Sequence, residues 1–311
     1  MGKTSTLFSR SFGYLRIPPR AGKCSPEGVL LRKGKGEEAV ERVVLITGAS
    51  SGIGRACARY LAERGYRVYG TSRKITGNGP VEDGSVRMIR MDVNDDRSVA
   101  SGIDEVLRDA GRLDVVANNA GFGIAGAIEE TSIEEVRALF ETNLFGLLRV
   151  CRAVLPEMRR QSSGTIVNIS SLAGRIGLPY QGLYSATKFA VEGVTEALRM
   201  EVKPFGIKVI LIEPGDFRTG FTDNRVHTAA SKEDSAYQER FQRALKVAES
   251  DEESGSSPER IARLLYRILQ NSSPKVRYST GEASQRAAAI LKGILPSKLF
   301  EWGLMKYYKV Q

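Results

Sequence analysis

The chain has 311 residues, with 46 Lys and Arg against 36 Asp and Glu, a net charge of +10. Residues 1–36 carry eight of the basic residues and one acid, so the rest is nearly balanced and gives no ground for nucleic-acid binding. One histidine and three cysteines without a C-x-x-C pair exclude a two-histidine metal site and a disulfide framework; no metal is expected, and a reducing, cytoplasmic location is.

Residues 1–40 show neither helical nor strand period and are rich in Ser, Gly, Arg and Lys, with Pro18, Pro19 and Pro26. They are expected to form a basic, disordered extension. An Arg-rich, acid-poor start also fits an organellar transit peptide, and Met1-Gly2-Lys3-Thr4-Ser5-Thr6 fits the loose myristoylation pattern. From residue 41 a regular alternation begins. Strand-like runs cover 42–47, 67–71, 86–90, 113–118, 164–170, 207–213 and 276–279, and helical spacing covers 53–64, 96–108, 132–160, 183–203 and 258–270. This predicts one α/β domain over 41–311, with a parallel sheet of about seven strands covered by helices on both faces. Residues 216–257 break the rhythm and predict a lid-like insertion; the acidic "ESDEESGSS" at 249–257 reads equally as plain disorder. Residues 285–311 have helical apolar spacing around Pro296 and predict a tail folded onto the domain. A dimer surface or a membrane interface is a less favoured use of that tail. The longest apolar run, 287–295, is broken by Lys292 and Gly293 and is too short to cross a bilayer.

Residues 46–55, "ITGASSGIGR", admit two readings. Gly48-Ala49-Ser50-Ser51-Gly52 is a literal nucleophile elbow. That reading needs a histidine base, of which only His227 exists, lacks an oxyanion loop, and leaves Ile53-Gly54 unexplained. The other reading is a phosphate cradle: Gly48 for the tight turn, Gly52 for close approach of the backbone, Gly54 for helix packing, and Ser50 and Ser51 as donors. Tyr184 and Lys188 are four apart and share a helix face, where an ammonium would lower the phenol pKa for general acid–base work. Ser171 ends a strand and can hydrogen-bond a reacting oxygen, while Ser170 faces the other way. The second strand ends in Ser72-Arg73-Lys74 with no acid. Arg73 then suits a ribose 2′-phosphate, and the expected cofactor is NADP(H).

"TGASSGIG" (47–54), "NNAG" (118–121), "TNLFG" (142–146), "NISS" (168–171), "YSATK" (184–188) and "EPG" (213–215) together resemble, in order and spacing, the short-chain dehydrogenase/reductase family over about residues 41–281. The resemblance, softest toward hydroxysteroid and retinoid types, implies a single Rossmann-type, doubly wound domain and hydride transfer between nicotinamide and a carbonyl carbon. It implies Tyr184 as proton donor, Ser171 steadying the oxygen, Lys188 tuning Tyr184 and holding the nicotinamide ribose, and Asn143 bending its helix to hold a relay water. It places Ser50, Ser51, Gly52 and Ile53 on the phosphates and Asp92 and Val93 at the adenine edge. Asn118, Ala120 and Gly121 fall at the adenine ribose, and Pro214, Gly215 and Thr219 at the carboxamide. It also implies a homodimer or homotetramer.

The expected activity is therefore an NADP(H)-dependent carbonyl–alcohol interconversion on a small hydrophobic substrate. Phe122, Ile124, Leu172, Leu178, Tyr180, Phe217 and Phe221 are the pocket candidates. The alternative is a non-catalytic NADP(H)-binding sensor or scaffold, against which Tyr184 and Lys188 both speak.

Overall fold

The structure, a computed structural model, describes residues 41–76, 81–221, 225–228 and 235–311. The expectations for residues 1–40 lie outside the described residues. In chain order the elements are β1 (Val43–Ile46), α1 (Gly52–Ala62), β2 (Arg67–Ser72), β3 (Val81–Asp83), β4 (Val86–Arg90), α2 (Asp96–Ala110), β5 (Val115–Asn118) and β6 (Ile124–Ala125). Then come α3 (Ile133–Phe140), α4 (Leu147–Arg160), β7 (Gly164–Ile169), α5 (Gly182–Val202), β8 (Ile207–Pro214) and β9 (Val226–His227). The chain ends with α6 (Gln238–Glu253), α7 (Glu259–Gln270), β10 (Arg277–Thr280), α8 (Ala283–Leu291) and α9 (Ser297–Tyr307).

The sheet runs β10-β8-β7-β5-β1-β2-β4-β3, parallel throughout except for β3. Strands buried on both faces need apolar residues at every position, and β1 reads VVLI with all four buried. Its period of two still sorts the faces: Leu45 packs with Val106, Val150 and Val154, while Val44 and Ile46 pack with Leu61 and Leu265. Strand order reverses at β1, which lies between β2 and β5. The loops leaving β1 and β5 therefore diverge and open a crevice at the carboxyl edge of the sheet.

The sheet has eight strands where the pattern predicts about seven. The extra one, β3, is a three-residue antiparallel edge turned by Gly84 at φ +65°, too short to show a period. The run 132–160 is not one helix: a π-helical turn at Glu141–Gly146 separates α3 from α4. Plain disorder, one of the two readings of the acidic stretch at 249–257, does not hold for residues 249–253. Residues 249–253 belong to α6, whose Phe241, Ala244, Leu245 and Ala248 form an apolar stripe hidden among charges. No helix among the described residues is long and apolar enough to cross a membrane.

Candidate active site

The crevice continues into a cavity of about 620 Å³ lined from both sides of the sheet edge. Its floor at one end is the glycine loop. Gly48 has φ +65°, a left-handed conformation that favours glycine. A Cβ on Gly54 would lie 2.4 Å from the Gly48 carbonyl oxygen, so only glycine lets α1 start this close to the β1 turn. The Ser51 side chain does not cap α1, and its first turn carries no acid. By contrast α2 is capped by Asp95 and α3 by a Ser132–Glu135 capping box. An uncapped helix start facing a cavity leaves N–H donors and the positive dipole end for an anion. Ser50, Ser51, Gly52 and Ile53 line this end, and Thr219 sits over it, 3.4 Å from the position of a Cβ on Gly52.

Two residues that the sequence motifs contain but to which no role was assigned hold the crevice in shape. The Thr47 hydroxyl accepts from the backbone N–H of both Asn119 and Ala120 at 2.9 Å. The Asn119 amide donates to the carbonyls of Thr47 at 2.9 Å and Gly48 at 3.1 Å. The only signal was their position, one beside each glycine motif. Asn118 is placed differently from its expected role: its amide turns into the core, donating to Asn168 at 2.9 Å, and Ala120 and Gly121 line the cleft without it.

Thr71, Ser72, Arg73 and Lys74 line the cleft beyond the end of β2, with Asp92 and Val93 nearby. Ser72 accepts from the Lys74 N–H at 3.2 Å, and Arg73 is exposed and paired with no described acid. The uncapped start of α1 and the basic end of β2 along one cavity fit a nicotinamide dinucleotide.

Tyr184 and Lys188 lie on α5 at the far end of the same cavity. The Ser171 hydroxyl acts on the Tyr184 phenol and also donates to the Pro214 carbonyl at 3.3 Å. Ser170 turns away toward Glu192 and Gly174. Lys188 Nζ donates to the Ile169 carbonyl at 3.0 Å and stands 5.7 Å from the Tyr184 ring centre. Burial holds this ammonium down to about 8, with Glu192 acting the other way. The expected lowering of the phenol is overturned here. Burial pushes Tyr184 above the ordinary phenol range; Ser171 and Arg225 pull it down, Glu252 and Asp216 push it further up. A desolvated neutral phenol is a proton donor at neutral pH, the form a reduction needs.

Asn143 sits in the π-helical turn with its side chain enclosed. Its carbonyl oxygen accepts from Phe122 N–H at 3.0 Å, and its amide donates to the Phe122 carbonyl at 2.9 Å and to Thr187 at 3.2 Å. Thr187 in turn donates to the Tyr184 carbonyl at 2.7 Å, so Asn143 ties the β5 loop to the helix carrying Tyr184.

Of the apolar candidates, Phe122, Leu178, Phe217 and Phe221 line the cavity, as do Pro214 and Gly215. Phe221 packs against Tyr184 with ring centres 5.6 Å apart. Ile124, Leu172 and Tyr180 instead pack behind the wall. The cavity also carries polar groups that an apolar pocket lacks: the carboxyl groups of Asp216 and Glu252 and, from beyond α9, the neutral phenol of Tyr308. His227 packs edge-on against Phe241 at 6.1 Å and does not line the cavity, so Ser50 has no histidine base.

The short chain dehydrogenase family model matches residues 42–230. The chain belongs to the short-chain dehydrogenase family. It is 44% identical over 270 residues to a 3-ketodihydrosphingosine reductase of Bacteroides thetaiotaomicron, covering 87% of this chain and 99% of that protein. It is 34% identical over 256 residues to human 17-beta-hydroxysteroid dehydrogenase type 1, covering 77% of each. A solved short-chain dehydrogenase from Streptomyces avermitilis superposes with a TM-score of 0.72 at 36% identity, covering 86% of this chain and 97% of that one. These relatives agree with an oxidoreductase acting between an alcohol and a carbonyl, on a nicotinamide nucleotide.

Proposed function

We propose that this short-chain dehydrogenase is an NADPH-dependent reductase of a long-chain hydrophobic ketone. One observation carries the reading: Tyr184, neutral and touched by Ser171, closes the end of a cavity that begins at an uncapped glycine-lined helix start and passes Arg73. NADPH bound along that cavity would supply the hydride. The residues of the chain do the rest. The α1 start and Ser50–Ile53 take the pyrophosphate, and Arg73, with Ser72, takes the 2′-phosphate. Ser171 donates to the ketone oxygen, and Tyr184 delivers its phenol proton there as charge develops. Lys188, a buried ammonium about one helix turn on from Tyr184 with its Nζ 5.7 Å from the Tyr184 ring centre, favours the phenolate left behind. Phe122, Leu178, Phe217 and Phe221 exclude water from the reacting oxygen. The relative named for a sphingoid ketone supports a long-chain substrate over a sugar or hydroxy acid. Phe145 on the π-helical turn and Phe189 and Met200 on α5 are exposed apolar side chains, which supports a homodimer or homotetramer through these helices. Cys57 and Cys151 are free and buried, in keeping with a cytoplasmic protein.

The test is NADPH oxidation with a panel of ketones by the wild type and by Tyr184→Phe. The variant is expected to lose at least about a thousandfold in kcat, as removal of a general acid does, while NADPH quenching of Trp302 fluorescence or calorimetric binding persists. Retained turnover in Tyr184→Phe, or silence of the wild type on every ketone, overturns the reading.

A further inference from the structure

The substrate half of the cavity has an unbalanced charge. Asp216 and Glu252 both line it, and the cation that acts on Asp216 is Arg225, which lies outside the lining. Arg225 is fully enclosed and is taken by Glu252 through an ion pair of its Nη2, with Phe221 packed over the guanidinium at 5.9 Å. Its Nε and Nη1 find no hydrogen-bond acceptor. Asp216 is left with an uncharged partner: its Oδ2 accepts from the Gln285 amide at 2.6 Å, and its backbone N–H donates to Gln285 Oε1 at 3.1 Å. No Lys or Arg makes an ion pair with Asp216 among the described residues. A desolvated carboxylate without a cation is costly, and a plain alkyl ketone filling this pocket would strip it of water as well.

The position of Asp216 matters as much as its charge. It follows Pro214-Gly215 at the end of β8, the same strand end to which Ser171 donates. Asp216 and Glu252 line the same cavity as Tyr184, and Asp216 lies two residues after Pro214, whose carbonyl accepts from Ser171, so the negative wall belongs to the reacting end of the cavity. A ligand that completes this wall carries a positive charge on the same end as its carbonyl.

We infer that Asp216 is a specificity residue that grips a primary ammonium on the carbon next to the ketone, so that the enzyme selects long-chain α-amino ketones. The inference rests on the proposed reductase reading and names its substrate class. A cation also fits better than an anion, which Asp216 and Glu252 would both repel. A steroid or retinoid carbonyl offers Asp216 no partner.

The experiment compares a long-chain 2-amino-3-ketone with the matched ketone lacking the amine, each with NADPH, in the wild type and in Asp216→Asn. The asparagine keeps an acceptor for Gln285 and removes only the charge. The readout is the ratio of kcat/KM for the two ketones, in which general damage cancels. A charge-assisted hydrogen bond predicts a wild-type preference for the amine on the order of a hundredfold, falling toward unity in Asp216→Asn and partly restored in Asp216→Glu. A wild type indifferent to the amine, or a ratio unchanged in the variant, overturns the inference. Calorimetric binding of a long-chain primary amine to the NADP-loaded protein gives a readout without turnover. Weaker amine binding in Asp216→Asn supports the subsite even if neither ketone is reduced, an outcome that would sink the reductase reading alone. Equal amine binding in both proteins sinks the subsite whatever the ketones do.

Discussion

In the proposed function the cofactor choice turns on Arg73. It is exposed at the end of β2, where a carboxylate would instead take a ribose 2′-hydroxyl. Arg73→Glu should place a like charge against a 2′-phosphate, and the NADPH-over-NADH preference in kcat/KM should fall by about ten- to a hundredfold, the worth of one charged hydrogen bond. An unchanged ratio would move the 2′-phosphate contact to Lys74 or Arg55. Asp216 makes a second prediction, this one in stability. Burial first, then Glu252 and Asp251, push its carboxyl up to about 7, against the pull of Arg225 and Gln285; Tyr184 on α5 and Tyr307 and Tyr308 at the end of α9 also face this group. The unfolded chain releases that proton near 3.9. Folding therefore takes up a proton between these values. The contribution is full below the unfolded value and is lost as pH rises through about 7. Asp216→Asn should raise the melting temperature at pH 8, and the gain should shrink as pH falls toward 4. Melting curves at the two pH values decide it; an equal gain at both would assign the effect to packing.

Elements written as continuous apolar runs or as glycine-rich turns were legible in the sequence. The parallel strands each bury both faces, so VVLI and VVAN announce themselves without alternation. The glycines of the phosphate loop were legible because each answers a steric demand of its own, a positive φ at Gly48 and a closed space at Gly54. What stayed hidden depends on pairs far apart in the chain. Thr47 and Asn119 are ordinary polar residues until β1 and β5 lie side by side. Asp216 and Glu252 stand 36 positions apart and meet only because α6 docks its apolar stripe against Tyr308 and the β6 end. Glu252 reads as one more acid in a charged run, and no local pattern marks it as a cavity wall. The π-helical turn at Asn143 is similar: its cause is a set of tertiary hydrogen bonds to Phe122 and Thr187, and the sequence spacing runs straight through it.

At the scale of the whole molecule the cavity has two makers. The nucleotide end is built by the sheet edge and α1, packed between two continuous cores. The substrate end is built late in the chain, by α6, α8 and α9, held by small clusters: Ala244, Ala248 and Tyr308 in one, Leu172, Ile176 and Ala289 in another. The outer faces of α8 and α9 leave Ile294, Leu299 and Trp302 exposed, so α9 is fixed chiefly through Phe300, Leu304 and Tyr308. An element anchored by few buried contacts opens well before the domain unfolds. Tyr308 both anchors α9 and lines the cavity, and truncating a buried aromatic costs about 3–5 kcal/mol at sites in a rigid core. Tyr308→Ala should exceed what α9 has to spare and release that helix alone. The expected result is a raised KM for a long-chain ketone and rapid proteolysis within residues 296–311, with NADPH affinity within about twofold of the wild type. Limited proteolysis read by mass, beside calorimetric NADPH binding, checks both halves. If nucleotide affinity fell together with substrate affinity, the two ends of the cavity would be one cooperative unit, and the division of labour between sheet edge and C-terminal helices would not hold.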